Sequence, residues 1–253
     1  MKNIIDLSGK TILITGASSG IGAETAVLCS QVGAKVILVA RREDKLKEVL
    51  STLEGSGHMV FPFDLSNVEA IESLIDEIVE MAGPMDGFVH CAGIPGRRPL
   101  KLFKPKIMRE LMDVNFNSFV EIVRCATRKR VLRTGMSIVG VSSVSAIKGG
   151  KGITGYSASK AAMDAAVKCI AKEFCESGVR ANTVCPGVIE TDIYRKSLDD
   201  AGDSRDAQMR LERQYLGLGK PVDVANMIAF LLSDASRLIT GTNVVIDGGM
   251  LTS

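Results

Sequence analysis

The sequence predicts an α/β fold in which one parallel sheet of about seven strands is covered by helices on both faces. Three observations support this doubly wound architecture. Short strands alternate with longer helical segments, the strands are apolar along most of their length, and a glycine-rich turn joins the first strand to the first helix. We expect the 253 residues to form a single domain over residues 1–253.

Seven runs rich in β-branched residues are predicted as strands. They cover residues 11–15, 35–39, 59–63, 87–90, 137–141, 180–185 and 243–246. Segments with helical periodicity lie between them, at residues 20–32, 42–54, 67–82, 105–133, 155–177 and 221–233. Because parallel strands are joined by right-handed crossovers, this order gives a doubly wound sheet.

Several residues mark the ends of the predicted helices. Asn67 opens the third helix, and Pro105 and Pro221 stand at the first turns of the fourth and the sixth. Glycines also follow helical runs, as C-terminal caps often do, at Gly33, Gly55, Gly83 and Gly178. These signals support the assigned helix boundaries.

Residues 192–219 interrupt the alternation. They are rich in charge, contain Gly202 and Gly219, and follow the sixth strand at its carboxyl end. Open α/β sheets bind their ligands at that edge. We therefore predict that this segment is a lid over the substrate, within the single domain. The alternative is a solvated helical hairpin without a functional role.

The first strand runs directly into residues 15–22, with the sequence TGASSGIG, and a helix follows at once. The glycines permit a tight turn and let the backbone approach a pyrophosphate, which the N–H groups of the helix N-terminus bind. The spacing GxxxGxG differs from the common GxGxxG fingerprint. The residues predicted to bind a dinucleotide here are Gly16, Ser18, Ser19, Gly20, Ile21 and Gly22. The alternative is a plain turn between strand and helix.

The end of the second strand indicates which dinucleotide is bound. NAD-selective sites place Asp or Glu near this point, where it bonds the ribose 2′-hydroxyl. Here Ala40 is followed by Arg41 and Arg42. A guanidinium binds a 2′-phosphate through planar, charge-assisted hydrogen bonds. The sequence therefore favours NADP(H) as the cofactor. The alternative is that the two arginines are only solvated at the strand end.

Three polar side chains form a candidate catalytic set. Tyr156 and Lys160 are four residues apart on a predicted helix and share one face. A free phenol has a pKa of about 10, and a nearby ammonium lowers that pKa. Ser143 lies at the carboxyl end of the fifth strand, where its hydroxyl would hold and polarise a carbonyl oxygen. The set predicts general acid/base catalysis by Tyr156.

Together these motifs resemble the short-chain dehydrogenase/reductase family, in its compact single-domain branch, over nearly the whole chain. The matching segments are residues 15–22, Asp64, Ala92-Gly93, Asn115, Ser143, Tyr156, Lys160, residues 186–191 and Asp247-Gly248-Gly249. The resemblance implies a Rossmann-like fold and an NADP(H)-dependent enzyme that acts on alcohol or carbonyl groups. Within the family, the chain is similar to 3-oxoacyl-(acyl-carrier-protein) reductases.

The resemblance assigns further residues to the cofactor. Asp64 and Leu65 would contact the adenine, and Gly93 beside Ala92 would line the adenosine ribose. The loop after the sixth strand would hold the nicotinamide carboxamide. The residues implied in that loop are Pro186, Gly187, Ile189 and Thr191.

The resemblance also implies a proton relay. Asn115 would hold a water that links Lys160 to solvent, and Lys160 would also bond the nicotinamide ribose. With Ser143 and Tyr156 the catalytic set is intact, which argues against a catalytically silent dinucleotide-binding regulator. A sugar-nucleotide epimerase or dehydratase would need a larger C-terminal substrate domain than this chain has length for.

Two departures from the family pattern concern the cofactor. The usual Asn-Asn-Ala-Gly after the fourth strand reads His90-Cys91-Ala92-Gly93 here, and a cysteine cannot make the hydrogen bonds of an amide. NADP-using members often carry a basic residue where this chain has Ser19. The NADP(H) prediction therefore depends on Ala40, Arg41 and Ser18.

Composition excludes several classes of function. A formal net charge of +2 is too small to indicate nucleic acid or a membrane as partner. The six cysteines form no CxxC pair and only two histidines are present, so we expect no metal site and reduced thiols. The two histidines, His58 and His90, are interpreted as structural. No signal-peptide pattern opens the chain, and we expect a cytoplasmic protein.

The segment 97–106 contains five cations and no acid, and it follows the fourth strand at its carboxyl end. It forms either a solvated rim or a contact for an anionic substrate or carrier. Family members that use the carrier protein have arginines near the fifth strand and near the end of the Tyr/Lys helix. Arg133 matches the first position, but Glu176 and Ser177 occupy the second. A second basic group consists of Arg124, Arg128, Lys129, Arg130 and Arg133.

The family also implies an assembly and a range of substrates. Helices 105–133 and 155–177 would pair across an interface of a homodimer or homotetramer, and small side chains on the second would allow close approach. The substrate is a small carbonyl or alcohol compound. Besides acyl thioesters, the sequence is compatible with a sugar, a steroid or a small ketone.

Overall fold

A computed structural model describes residues 4–128, 131–192, 194–195 and 212–252. Its strands are β1 (Thr11–Thr15), β2 (Lys35–Ala40), β3 (Met59–Pro62), β4 (Met85–His90), β5 (Leu132–Val141), β6 (Arg180–Pro186) and β7 (Asn243–Ile246). All pairings are parallel, in the order β3-β2-β1-β4-β5-β6-β7. The order reverses between β1 and β4, and this confirms the predicted doubly wound sheet.

The described helices pack on both faces of the sheet. They are α1 (Gly20–Gln31), α2 (Glu43–Leu50), α3 (Ile71–Ala82), α4 (Pro105–Met112), α5 (Ser118–Ala126), α6 (Ser145–Lys148), α7 (Thr154–Glu173) and α8 (Pro221–Leu232). One face of the sheet packs against α3, α5 and α7, and the other against α1, α2 and α8. None of the helices described is long and apolar enough to cross a membrane.

Strand residues alternate between two apolar cores. Leu13 and Phe88 face the core under α3, α5 and α7, whereas Ile12, Ile14 and Val89 face the core under α1 and α8. All five are fully buried. Burying a side chain of this size contributes about 1.5–3 kcal/mol. The two cores therefore hold the sheet rigid, and its carboxyl edge becomes a fixed platform for the loops that follow the strands.

The structure corrects the predicted helix 105–133. It consists of α4, a π-helical segment Asp113–Asn117, and α5, which ends at Ala126. The Arg128 Nε donates to the Cys125 carbonyl at 3.1 Å. This carbonyl in the last turn of α5 therefore bonds a side chain instead of the backbone of a further helical turn. Strand β5 begins at Leu132, within the range predicted as helix, because basic residues at helical spacing extended the predicted periodicity.

Other boundaries differ by a few residues. Helix α7 ends at Glu173, and the predicted remainder forms a 3-10 turn, Cys175–Ser177. The predicted lid 192–219 is described only at its two ends. Residues 193 and 196–211 lie outside the described part of the chain, as do Lys129 and Arg130 of the second basic group.

Candidate active site

The carboxyl ends of β1, β4, β5 and β6 meet at one edge of the sheet because all the strands are parallel. The glycine loop follows β1, residues 91–94 follow β4, Ser142 and Ser143 follow β5, and residues 187–191 follow β6. These four segments therefore border one crevice at the reversal of strand order.

The glycine loop is a turn that only glycine can form. Gly16 and Gly20 have φ angles of 66° and 56°, in the left-handed region. A Cβ at Gly16 would lie 2.6 Å from the Ala92 nitrogen, and a Cβ at Gly22 would lie 2.3 Å from the Gly16 oxygen. Ser19, the N-cap of α1, makes no side-chain cap hydrogen bond. The open helix N-terminus beside this tight turn fits the pyrophosphate of a dinucleotide.

The structure separates the two arginines after β2. The Arg42 Nη2 donates to the hydroxyls of Ser18 and Ser19, at 3.1 Å in both cases. The Arg41 side chain is exposed, and Ala40 is buried. Arg42 is therefore the guanidinium that reaches the glycine loop, a distinction that the sequence did not provide because both residues follow the strand in succession.

The two residues after β3 differ in exposure. Asp64 is exposed, and its Oδ1 accepts from the Ser66 nitrogen at 3.0 Å, which closes a local turn. Leu65 is buried beneath it. The Phe63 nitrogen donates to the Ala40 oxygen at 2.9 Å, which places this turn next to the end of β2. The turn therefore lies beside the end of β2, where the adenine contact of Asp64 and Leu65 stays a prediction.

Tyr156 lies on the first turn of α7 with its ring partly buried. Burial raises the pKa of the Tyr156 hydroxyl, and a hydrogen bond with Ser143 opposes this effect. The Lys160 ammonium lies 5.9 Å from the centre of the Tyr156 ring. The expectation that Lys160 lowers the pKa of Tyr156 is therefore wrong for the protein alone, because burial outweighs the other influences on the phenol.

Lys160 is a buried cation, with 3 % of its surface exposed. Its Nζ donates to the Val141 oxygen at 2.7 Å. Burial lowers the pKa of Lys160 to about 8, although the charge of Asp164 acts in the opposite direction. An ammonium has three N–H donors, so the bond to Val141 leaves donors for a ligand. A Cβ at Gly93 would lie 3.3 Å from Nζ, and only a glycine leaves full clearance there.

Asn115 lies in the π-helical segment and is completely buried. Its Oδ1 accepts from the Ile94 nitrogen at 2.8 Å, and its Nδ2 donates to the Ile94 oxygen and to the Ser159 hydroxyl. The side-chain amide thus joins the turn after β4 to α7. π-Helical turns within helices often occur at functional sites, and this one supplies the residue that holds two walls of the crevice together.

The loop after β6 closes the crevice. Val144 donates its N–H to the Pro186 oxygen at 3.0 Å, which ties this loop to the end of β5. At the other end, the Thr191 Cγ2 lies 3.2 Å from where a Cβ of Gly20 would be. Ile189 is buried between these two points. The loop therefore spans from Ser143 to the glycine loop.

Comparison with known proteins agrees with this geometry. The family described as enoyl-(acyl carrier protein) reductase matches residues 16–251. A 3-oxoacyl-[acyl-carrier-protein] reductase of Thermotoga maritima is 34% identical over 247 residues, which are 97% of this chain and 99% of that protein. An L-rhamnose 1-dehydrogenase (NAD(P)(+)) of a Sphingomonas species is 32% identical over 249 residues, 96% of this chain and 97% of its own.

Solved structures give the same result. A dehydrogenase/reductase from Sinorhizobium meliloti superimposes with a TM-score of 0.88 at 34% identity, over 97% of this chain and 96% of that one. A short-chain type dehydrogenase/reductase from Mycobacterium ulcerans gives 0.86 at 31% identity, over 98% and 91%. The chain belongs to the short-chain dehydrogenase/reductase family. It is an oxidoreductase of alcohol or carbonyl groups, in a family that binds a nicotinamide dinucleotide.

His90 is the first residue of the segment His90-Cys91-Ala92-Gly93, which departs from the usual Asn-Asn-Ala-Gly of short-chain dehydrogenases/reductases. It is completely buried, and its Nδ1 lies 2.9 Å from the Thr15 hydroxyl. Burial and the nearby Lys160 ammonium lower the pKa of His90 to about 3, so the imidazole is neutral at physiological pH. Burial also raises the pKa of the adjacent Cys91 thiol to about 12. At physiological pH the imidazole and the thiol are therefore both uncharged.

The basic segment 97–106 extends into a larger surface. The Arg98 nitrogen donates to the Gly152 oxygen at 2.6 Å, so the segment packs against the loop before α7. The last residue of α6, Lys148, and Lys151 in that loop are both exposed. We call this surface the basic rim, and it consists of Arg97, Arg98, Lys101, Lys104, Lys148 and Lys151. Lys106, the fifth cation of the segment, lies 3.9 Å from Glu110 in an ion pair.

Gln214 is a site residue that the sequence did not reveal. It is buried, and its side-chain amide bonds the backbone of Val188 in the loop after β6. The sequence predicted only that residues 192–219 form a lid, and no pattern singled out Gln214, because its partner lies 26 residues away in the chain.

Proposed function

We propose that this protein is an NADP(H)-dependent oxidoreductase that interconverts a carbonyl and an alcohol, with Tyr156 as the general acid/base. The observation that carries the proposal is the convergence of Ser143, Tyr156 and Lys160 on one crevice beside the glycine loop. A dinucleotide-binding regulator without catalysis would not need a hydroxyl pair and a buried ammonium at that place.

The residues around the crevice fit the cofactor. The glycine loop and the N-terminus of α1 would hold the pyrophosphate, and the turn after β3 the adenine. The residues that we assign to the cofactor are Gly16, Ser18, Ser19, Gly20, Ile21, Gly22, Arg41, Arg42, Asp64, Leu65, Ala92, Gly93, Tyr156, Lys160, Pro186, Gly187, Ile189 and Thr191. When bound, the nicotinamide supplies the hydride chemistry.

Tyr156 and Ser143 handle the substrate oxygen. The raised pKa of Tyr156 keeps its hydroxyl protonated at neutral pH, so it donates a proton to the oxygen of a carbonyl during reduction. Ser143, which already bonds Tyr156, holds the same oxygen and polarises the carbonyl. In the reverse direction Tyr156 accepts the proton from the alcohol.

Lys160 and Asn115 support this proton transfer. Lys160 has a pKa of about 8, so it is mostly protonated at neutral pH, and its remaining donors would bond the nicotinamide ribose. The Asn115 side chain is engaged with Ile94 and Ser159. A water that links Lys160 to solvent would therefore be held by the main chain of the π-helical segment.

The preference for NADP(H) is supported by Arg42. Its guanidinium lies against Ser18 and Ser19, where two hydroxyls and a charge would surround a 2′-phosphate. The turn after β2 carries no acidic residue that would instead select the 2′-hydroxyl of NAD, since Glu43 is the first residue of α2. The guanidinium is thus the group that would distinguish the two cofactors.

The basic rim favours a substrate that bears negative charge, either a small anion or an acyl group on an acidic carrier. The rim holds six cations, and two of them, Lys148 and Lys151, lie shortly before Tyr156 on the chain. The carrier match is incomplete, because Arg133 pairs with Asp86 at 3.4 Å and Glu176 stands near the end of α7. A sugar, a steroid or a small ketone is the second candidate, and the rhamnose dehydrogenases among its relatives favour a sugar.

NADPH oxidation with a panel of acyl thioesters, sugars and cyclic ketones tests this function. We expect turnover with at least one class, and faster turnover with its anionic members. Tight NADPH binding with no turnover on any class would support the silent regulator instead.

Two further properties belong to the proposal. All six cysteines are free thiols, as in a reducing compartment, and we place the protein in the cytoplasm. Helices α4, α5 and α7 would form the interface of a homodimer or homotetramer, as the family resemblance implies.

A further inference from the structure

Gln214 holds the loop after β6 by both backbone groups of one residue. Its Oε1 accepts from the Val188 nitrogen at 2.9 Å, and its Nε2 donates to the Val188 oxygen at 3.0 Å. The same Nε2 donates to the Gly217 oxygen at 2.5 Å. Only 4 % of the residue is exposed. One primary amide thus satisfies one donor and two acceptors inside the protein.

The surroundings of Gln214 are built around this side chain. A Cβ at Gly187 would lie 2.4 Å from the Gln214 Oε1, and a Cβ at Gly248 would lie 2.7 Å from its Cγ. Two glycines from different strand ends therefore leave the space that the glutamine fills. Nearby, the Gly219 nitrogen also donates to the Val188 oxygen, at 3.1 Å. The Val188 backbone is therefore held by hydrogen bonds from two separate residues, Gln214 and Gly219.

The loop that Gln214 holds is the one that spans the crevice. Pro186 at its start is tied to Val144 beside Ser143, and Thr191 at its end contacts the glycine loop. Val188 lies between these ends, next to the buried Ile189. Any shift of the Val188 backbone therefore moves Ile189 and Thr191 relative to Tyr156.

We propose that Gln214 is a positioning residue that sets the loop of residues 188–191 for the nicotinamide end of the cofactor. This inference rests on the proposed function, which assigns that loop to the cofactor. It requires an amide, because the Val188 backbone presents a donor and an acceptor that must be paired at the same time. A carboxylate only accepts hydrogen bonds, whereas a carboxylic acid both donates and accepts.

Three variants separate positioning from general damage. Gln214→Glu keeps the shape but loses the donor when ionised. Gln214→Met keeps the approximate volume and loses both polar functions. Gln31→Glu makes the same chemical change at an exposed position at the end of α1 and serves as the matched control. Circular dichroism and thermal melting of the protein without cofactor report on folding.

The readout is the dissociation constant for two probes, NADPH and 2′-phospho-ADP-ribose, which lacks the nicotinamide. At pH 8 we expect both Gln214 variants to bind NADPH about tenfold more weakly than the parent protein, the size of one lost buried hydrogen bond. Binding of 2′-phospho-ADP-ribose should stay within about twofold. As the pH falls to 5.5, Gln214→Glu should recover relative to the parent protein, and Gln214→Met should not.

Several results would overturn the inference. Equal weakening of both probes, or unfolding of both Gln214 variants, would make Gln214 a purely structural residue. Unchanged NADPH binding would show that the loop of residues 188–191 does not depend on Gln214 for its position. If the parent protein binds neither NADPH nor NADH, the proposed function fails first, and that outcome is distinct from the failure of Gln214 alone.

Discussion

At the scale of single residues, Tyr156 has the role that is easiest to test. Removing its hydroxyl with Tyr156→Phe leaves the ring in place but removes the proton donor. We expect kcat to fall by at least ~10²-fold, the usual contribution of general acid catalysis, with the dissociation constant for NADPH retained. Steady-state kinetics and fluorescence titration measure the two quantities. Turnover close to that of the parent enzyme would refute the role of Tyr156.

Arg42 provides a test of cofactor choice. Because only NADPH carries the 2′-phosphate, Arg42→Ala should weaken NADPH binding by roughly 10- to 100-fold, the value of one charge-assisted hydrogen bond, and leave NADH binding little changed. The neighbouring Arg41→Ala is the matched variant, and we expect a smaller effect because its side chain does not reach the glycine loop. A parent enzyme that prefers NADH would contradict the choice of cofactor itself.

His90 predicts how stability depends on pH. Its pKa is about 3 in the folded protein and about 6.5 in the unfolded chain, so only the unfolded chain takes up a proton between these values. The free energy of unfolding therefore falls as the pH drops below 6.5, by roughly 1–2 kcal/mol at pH 5. Urea unfolding at both pH values should show this loss, and His90→Asn should reduce it. An equal loss in the variant would argue against the buried histidine as its source.

At the scale of elements, the basic rim depends on two segments that the sequence does not connect. The sequence indicated residues 97–106, but the contribution of Lys148 and Lys151 requires the contact between Arg98 and Gly152. The charge of residues 97–106 could therefore be predicted from the sequence. The basic rim that they form with Lys148 and Lys151 depends on tertiary packing.

Salt tests whether the rim acts on substrate. Exposed charges are screened over ~8 Å at physiological ionic strength, so KM for an anionic substrate should rise with salt. Replacing Arg97 and Arg98 by Gln should raise it several-fold more and leave neutral ketones unaffected. The matched control replaces Lys47 and Arg237, which are exposed on α2 and after α8. If charged and neutral substrates respond alike, the rim is only a solvated surface.

The π-helical segment Asp113–Asn117 is a feature that the helical periodicity of the sequence did not predict. A single long helix was expected because apolar and basic residues continue at helical spacing. The break arises from the buried Asn115, whose amide bonds Ile94 and Ser159, both remote in the chain. Such a tertiary bond has no local sequence signal. The central strands, by contrast, could be predicted because nearly every residue of β1, β2, β4 and β6 is buried, which leaves continuous apolar runs in the sequence.

At the scale of the whole molecule, the sheet order follows from the sequence with few additions. Parallel strands, short crossovers and one glycine turn place the chemistry at a single edge, and this is why Ser143, Tyr156 and Lys160 could be named from their spacing. Gln214 could not be named, since its partner Val188 lies 26 residues earlier in the chain. The direction of the pKa of Tyr156 also needed the structure, because burial depends on every neighbour.

Transfer of the hydride itself is the most direct test of the central claim. NADPH that carries deuterium at both hydrogen positions of nicotinamide C4 should be mixed with the substrate that the panel identifies, and the product examined by mass spectrometry and NMR. We expect one deuterium on the carbon that bears the new hydroxyl, in a product that Tyr156→Phe forms at least ~10²-fold more slowly than the parent enzyme. Product without deuterium at that carbon, or equal rates in the two proteins, would contradict the central claim.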